Sequence, residues 1–285
     1  RTGFITLAVP SLTPPYLAEL ANRTIDAARQ RGYSVYVTTY AEGSARGARE
    51  VLRSFNSTVS DGMILSLGEV DGVTPEDLEV DFPLVAVGAR STWGKADHVT
   101  PDDVQTAASA SAYLFDHGSK SLAVVGAREP FDEGALLESV EGNAQLRLRG
   151  VIEESRRRGV VLDPRLVGLT GRDWTIGAGA RAAQKLVDSG IPFDGIIALN
   201  DQLAIGVLSV LRASGLRVPD DVQVIGFDNI EESAYLQIPL TTMDSRLDWI
   251  APTAVGCILG RIQGDAAEPK LLTTPSSVIV RSSTR

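Results

Sequence analysis

The sequence predicts an α/β protein made of two doubly wound parallel-sheet lobes, and three observations carry that reading. Short apolar runs alternate with amphipathic stretches along nearly the whole chain, the pattern by which parallel β-α-β units are written. The alternation restarts after residue 102, giving two successive units of similar size. A length of 285 residues exceeds what one compact core ordinarily holds.

In the first unit FITLAV (4–9) is a continuous apolar run, as expected of a strand covered on both faces. Pro14 and Pro15 precede a helix over YLAELANRTIDAARQR, in which Tyr16, Leu20, Ile25 and Ala28 stand at helical spacing and Gly32 is the stop. SVYVTTY (34–40) follows as a strand, and ARGAREVLRSF, beginning at Ala45, as a helix. DGMILSL (61–67) and PLVAVGA (83–89) are two more strands, with a short helix near PEDLEV.

The second unit opens with a helix over DVQTAASASAYLFDHG that stops at Gly118, then the strand SLAVVG (121–126). An irregular acidic loop is expected near 129–142, followed by a helix over AQLRLRGVIEESRRRG and a strand in RLVGLT (165–170). A helix over TIGAGARAAQKLVDSG leads to the strand GIIALN (195–200), and one over DQLAIGVLSVLRASG leads to DVQVIGF (221–227). A further amphipathic helix spans 246–263, and SSVIVRSS supplies a last strand.

Two strands end in polar side chains: GIIALN in Asn200 and VQVIGFDN in Asp228 and Asn229. Ligands of open parallel sheets bind outside the carboxyl ends of the strands, so these groups are placed to face a cleft between units. Helix capping is the competing role, which Asn and Asp perform well and which suits Asp201 in particular.

A net charge of −9 argues against this chain itself gripping nucleic acid, which calls for a basic face. No apolar run is long enough for a membrane helix, and the opening RTGFITLAVP lacks both signal-peptide character and an initiator Met, so a processed or truncated chain is expected. Cys257, the sole cysteine, excludes an internal disulfide and lies in an apolar helical run, where a small core residue is expected. No phosphate loop, zinc helix or nucleophile elbow occurs, so no catalytic residue, metal or cofactor is expected. Gly177 and Gly179 imitate part of a dinucleotide fingerprint but lie inside a helical run, which makes them packing or helix-start residues. His98 and His117 have no carboxylates at ligand spacing, and His117 stands at a helix end.

The stretch ALNDQLAIGVLSVLRASGLRVPDDVQVIGFDNIEESAYLQIPLTTM (198–243), with the closing VIVRSST, resembles the effector-binding core of LacI-type bacterial transcription regulators. That family shares its fold with periplasmic sugar-binding proteins, and the resemblance runs from Gly3 to about Ser283. It implies two lobes joined by three crossovers, of the periplasmic binding protein-like type I, with a small-molecule effector between them. By that pattern the first lobe takes about 1–102 and 246–272, the second about 103–245 and 273–285. It also implies a homodimer in the cytoplasm, with operator DNA contacted through a helix-turn-helix head that is missing here.

The same resemblance nominates effector-binding residues. Arg147 matches an arginine aimed at ligand hydroxyls or carboxylates, Asn200 and Asp228 match strand-end polar residues, and Trp174 matches a stacking aromatic. Tyr16 matches an aromatic of the first helix, and Asp102 falls at the first crossover, where turn chemistry in TPDD competes. Three positions depart from the family: Pro14 before Pro15-Tyr16, Ala89-Arg90 in place of Asp-Arg, and Ser245 in place of a frequent Gln. Each unmet sugar hydroxyl costs roughly 1–3 kcal/mol, which weighs against a standard hexose in the usual pose. Arg90 and Arg147 set against Asp102 and Asp228 suit a hydroxylated, sugar-like effector that can carry an acidic group. The alternatives are a periplasmic or extracellular solute-binding protein of a sugar uptake system, which needs an export signal, and an enzyme on a similar open sheet.

Overall fold

The computed structural model describes residues 1–43 and 46–285. In chain order its first elements are β1 (Phe4–Val9), α1 (Pro15–Arg29), β2 (Ser34–Thr39), α2 (Gly47–Arg53), β3 (Met63–Ser66), β4 (Leu84–Val87) and β5 (Asp97–Pro101). Then come α3 (Asp103–Asp116), β6 (Leu122–Ala127), α4 (Glu133–Leu137), α5 (Asn143–Arg157), β7 (Val167–Leu169), α6 (Ile176–Asp188), β8 (Gly195–Ala198), α7 (Asp201–Ala213) and β9 (Gln223–Asp228). The last are β10 (Thr241–Asp244), α8 (Leu247–Ile262), β11 (Leu271–Thr274) and β12 (Val278–Ile279). The helix expected from Ala45 begins at Gly47; Ala45 itself lies outside the described residues.

The chain divides into two compact units. Unit 1 comprises Arg1–Pro101, Glu141–Asn143 and Arg246–Thr274; unit 2 comprises Asp102–Val140, Ala144–Ser245 and Pro275–Arg285. The expected second lobe ran unbroken from 103 to 245, and residues 141–143 depart from it. Gly142 N donates to Ala89 O, Asn143 N to Gly68 O, and the Glu141 carboxylate receives Arg90, so this short piece is built into unit 1.

Among the described residues, unit 1 has a sheet in the order β11-β5-β4-β3-β1-β2, parallel throughout. Its strands are apolar because helices cover them: Ile5, Leu7, Ile64 and Val85 are fully buried. Pro15 opens α1 in the first helical position, where no backbone N–H is needed. The face of α1 turned inward is Leu20, Ala21, Thr24, Ala27 and Ala28, so Thr24 takes the place expected for Ile25 and satisfies its hydroxyl on Leu20 O at 2.7 Å. PEDLEV forms a 3-10 turn over Pro75–Leu78, capped reciprocally by Thr74 and Asp77.

Unit 2 has the order β12-β10-β9-β8-β6-β7, parallel except that β12 runs antiparallel to β10. Strands β8 and β9 are buried along almost their full length, with Ile196, Ile197, Val224 and Ile225 at zero exposure. Helices α6 and α7 meet at backbone distance. A Cβ on Gly179 would lie 2.2 Å from Leu203 O, and one on Gly206 would lie 2.1 Å from Ile176 O. Gly179 is therefore a packing residue, as its place in a helical run implied. The acidic loop contains one short helix after all, α4, which Asp132 caps by accepting Ala135 N at 3.1 Å.

Strands β5, β10 and β11 were not expected, because DHVTP, TTMD and LLTT are not apolar runs. Their polar groups are satisfied inside the fold. Asp97 takes a bidentate ion pair from Arg261 at 2.8 and 2.9 Å, and His98 Nε2 meets Gly88 O. Thr241 Oγ1 meets Thr284 Oγ1 at 2.7 Å.

Candidate functional site

The carboxyl edge of the unit 2 sheet collects the strand-end residues. Asn200, two residues beyond β8, is the N-cap of α7: its Oδ1 accepts Leu203 N at 2.8 Å while its Nδ2 donates to Trp174 O at 3.1 Å. Capping therefore belongs to Asn200, and Asp201, expected as the capping residue, turns inward instead. Asp201 is fully buried and accepts Ile230 N at 3.0 Å, Ser233 Oγ at 2.7 Å and Thr242 Oγ1 at 2.7 Å. This ties α7 to the segment after β9 and to β10. Burial, helped by nearby Asp228, pushes the Asp201 carboxyl up to about 7 against those hydrogen bonds. Sequence reasoning missed this role, for which Gly226 is a readable signal: a Cβ there would lie 2.2 Å from Asp201 Oδ1.

Beside it, Arg147 of α5 reaches the same edge with its side chain 11% exposed. Its Nε donates to Asp103 Oδ1 at 2.8 Å, its Nη1 donates to Leu199 O, and its Nη2 lies 4.0 Å from Asp228 Oδ1. The guanidinium carbon stands 4.7 Å from the Phe227 ring centre and 5.5 Å from that of Trp174, an arrangement that favours a cation over two aromatic faces. Trp174 is half-buried, its Nε1 donating to Gly126 O at 2.9 Å, and Arg128 stands 5.9 Å from the same ring. Asp103 and Phe227 are members of this cluster that sequence reasoning did not name.

Arg147 pairs with Asp103, not Asp102, because Asp102 is exposed and accepts Gln105 N at 3.0 Å as the N-cap of α3. Burial raises the Asp103 carboxyl above the usual range, with Arg147 opposing. Burial likewise pushes Asp228 up to about 6, with Arg147 pulling it down and Asp103 adding to the rise. The backbone here is strained: Asp228 has φ +101° and Asn229 φ +50°, in the region that favours glycine. Arg281 Nη2 holds Asn229 Oδ1 at 2.6 Å, and Thr242 Oγ1 accepts Asn229 N at 3.3 Å. Such backbone costs about 1–3 kcal/mol per residue and clusters at functional sites.

The structure thus brings Arg147, Trp174, Asn200 and Asp228 together in unit 2. Ser245, half-buried, follows β10 in the same unit. Tyr16 and Arg90 belong to unit 1. Tyr16 is half-buried against its core. Arg90 is buried, with Nη1 on Glu141, Nη2 on Val73 O at 2.8 Å, Asp71 Oδ1 at 3.8 Å from Nε, and Trp93 stacked at 4.6 Å from its guanidinium carbon. Its contacts hold the loops of unit 1 rather than presenting a bare cation.

His98 is buried, and that burial lowers its pKa against the Gly88 contact; His117 stacks on Tyr113 at 4.0 Å and meets Tyr113 O at 2.7 Å. Cys257 packs half-buried on the unit 1 core. Among the described residues, no group of three or more His, Cys, Asp or Glu could hold a metal ion, and no helix is long and apolar enough to cross a membrane.

Comparison with known proteins agrees with this architecture. The family described as periplasmic binding protein-like domain matches residues 112–284. A LacI-type transcription regulator from Bifidobacterium animalis subsp. lactis superposes with a TM-score of 0.92 at 33% identity, covering 99% of both chains. A LacI-family regulator from Sanguibacter keddieii gives 0.86 at 31%, over 99% of this chain and 98% of that one. The HTH-type transcriptional repressor CytR of Escherichia coli is 27% identical over 99% of this chain and 79% of its own length. With two such sheets, the strand-end cluster of unit 2 and these relatives, the chain belongs to the LacI-type transcription regulators, of which it is the effector-binding core.

Proposed function

We propose that this core senses a small hydroxylated effector, sugar-like and able to carry an acidic group, chiefly through Arg147 and Asp228 of unit 2. One observation carries the reading. The two opposite charges are both mostly buried, 11% and 12% exposed, yet stand 4.0 Å apart, beyond hydrogen-bond reach. A ligand hydroxyl can accept from the guanidinium and donate to the carboxylate, and a ligand acid can take the guanidinium alone. Asn200 and Asp103 fix the positions of Trp174 and Arg147, and the Trp174 ring offers a flat face for stacking. Asp102 and Arg90 serve as cap and internal brace, while Tyr16 and Ser245 stay candidates for direct contact.

The regulator acts as a homodimer in the cytoplasm, on operator DNA held by a helix-turn-helix segment, the element that CytR carries in its name. The net charge of −9 keeps DNA away from the core itself, which supports that division of labour. The effector biases two conformers, and a coupling of about 1–3 kcal/mol changes operator affinity roughly 5–150-fold. A thermal-shift screen of sugars, sugar acids, polyols and nucleosides tests the reading. Ligand at a hundred times its Kd adds about 2.7 kcal/mol of stability. Asp228→Ala abolishes the shift while the variant still melts cooperatively; a normal shift in that variant sinks the assignment.

A further inference from the structure

We infer that Asp201 is a positioning residue of the effector cluster: it clamps the chain on both sides of Asp228 and so sets where that carboxylate stands beside Arg147. This rests on the effector role proposed for Asp228 and gives part of that role to a side chain with no exposed surface of its own. Asp201 is the first residue of α7, next to the N-cap Asn200, whose amide holds Trp174 O at 3.1 Å. Two adjacent residues at one helix start thereby fix two members of the cluster, Trp174 and Asp228.

The backbone at Asp228 needs holding. Its φ of +101° and the +50° of Asn229 put two successive residues other than glycine in the left-handed region, and such conformations last only where the surroundings over-determine them. The two amides that follow Asp228 both lead to Asp201. Ile230 N donates straight to Oδ2 at 3.0 Å. Asn229 N donates to Thr242 Oγ1 at 3.3 Å, and that hydroxyl passes its own hydrogen to Asp201 Oδ1 at 2.7 Å. One carboxylate therefore holds consecutive amides of the strained turn, one directly and one through Thr242. Ser233 Oγ, from the 3-10 turn Glu231–Ala234, adds a third donor at 2.7 Å.

Ahead of Asp228 the contact is steric. A Cβ at Gly226 would lie 2.2 Å from Asp201 Oδ1, so the bare backbone of β9 rests on the carboxyl two residues before Asp228. The hydrogen bonds use the backbone of Asn229 and Ile230 and spare the Asp228 carboxylate, which keeps its oxygens for Arg147 and a ligand. The clamp depends on acceptors. Asp201→Asn keeps one oxygen for Ile230 N and turns its amide hydrogens toward Thr242 Oγ1, a hydroxyl able to accept them, whereas Asp201→Ala keeps neither contact.

The test is amide hydrogen exchange of the full chain, followed by nuclear magnetic resonance without any ligand. In Asp201→Ala, Asn229 and Ile230 should exchange at least about tenfold faster while Ile196 and Ile197 of β8 keep their wild-type rates, the mark of local opening. Asp201→Asn should restore the protection of Ile230. The carboxyl carbon of Asp228, identified by its loss in Asp228→Asn, should titrate at lower pH in Asp201→Ala than in Asp201→Asn as water reaches it. Residue 201 is uncharged in both variants, so that difference reports position and not charge. Should Asp201→Ala fail to fold, Thr242→Val keeps Asp201 and should speed the exchange of Asn229 while Ile230 stays protected. Wild-type protection of these amides, acceleration shared by Ile196 and Ile197, or identical Asp228 titration in the two variants overturns the inference. A normal thermal shift in Asp228→Ala instead sinks the effector reading and leaves these exchange results standing, so the two failures are told apart.

Discussion

Arg147 and Asp103 form a buried ion pair at 2.8 Å, joining the middle of α5 to the first residue of α3. The pair holds the guanidinium beneath Phe227 and Trp174, so its geometry sets that of the whole cluster. Asp103→Asn removes the nearer carboxylate from the guanidinium and keeps the more distant Asp228. Breaking a buried pair costs about 3–5 kcal/mol, and the surviving carboxylate places this case near the low end, about 3 kcal/mol, by urea unfolding. Replacing both partners with apolar residues should recover much of that loss.

Stability should fall as pH rises from about 4 to 6 by an amount traceable to Asp228. Its folded pKa of about 6 lies above the ordinary carboxylate value, so the folded state retains a proton that the unfolded chain has lost. The stabilisation is full below the unfolded pKa and gone once pH exceeds the folded one. Asp228→Asn removes this slope, a difference on the order of 2 kcal/mol across the window. His98, whose pKa is lowered, works in the opposite sense, so the quantity to measure is the difference between wild type and variant, in which His98 cancels.

Gly206→Ala should destabilise unit 2 by about 1–3 kcal/mol or more in chemical denaturation. The new methyl would meet Ile176 O at 2.1 Å, and a helix backbone, unlike a flexible side chain, cannot swing aside. Gly159→Ala provides a contrast. Nothing lies within 4 Å of the Cβ position there, so its cost comes only from φ +70°.

Asp97→Ala should weaken unit 1 by about 3 kcal/mol, leaving Arg261 and Lys270 N without their shared acceptor. The intact pair holds the Asp97 carboxyl below its usual range despite burial. Its contribution is therefore present at neutral pH and is lost as pH falls through that lowered value. Acid unfolding of wild type and variant should converge at the lowest pH, a comparison best followed by far-ultraviolet circular dichroism.

The covered strands were legible because burial on both faces demands unbroken apolar runs, as in FITLAV and GIIALN. Strands β5, β10 and β11 were not, since their polar side chains are excused by partners far along the chain. Asp97 answers to Arg261, 164 positions away. At the site, Arg147 was readable through the family resemblance, but its partner was not. Asp102 and Asp103 are adjacent and chemically identical, and only the start of α3 decides that one caps while the other faces Arg147. Capping by Asn200 was readable from residue type; the inward turn of Asp201 required three donors from 29 to 41 positions downstream.

Strands β9 and β10 are fastened by a segment that follows them at a distance. Ser283 is fully buried, its hydroxyl donating to Val224 O at 2.6 Å and accepting Thr241 N at 2.8 Å, while Arg285 N donates to Gln223 Oε1 at 2.8 Å. A nascent polypeptide therefore cannot close this half until residue 283 has cleared the ribosome. Until then the strand bearing Asp228 lacks its clasp, and a translation product cut short before that point would leave Val224 O and Thr241 N without this partner.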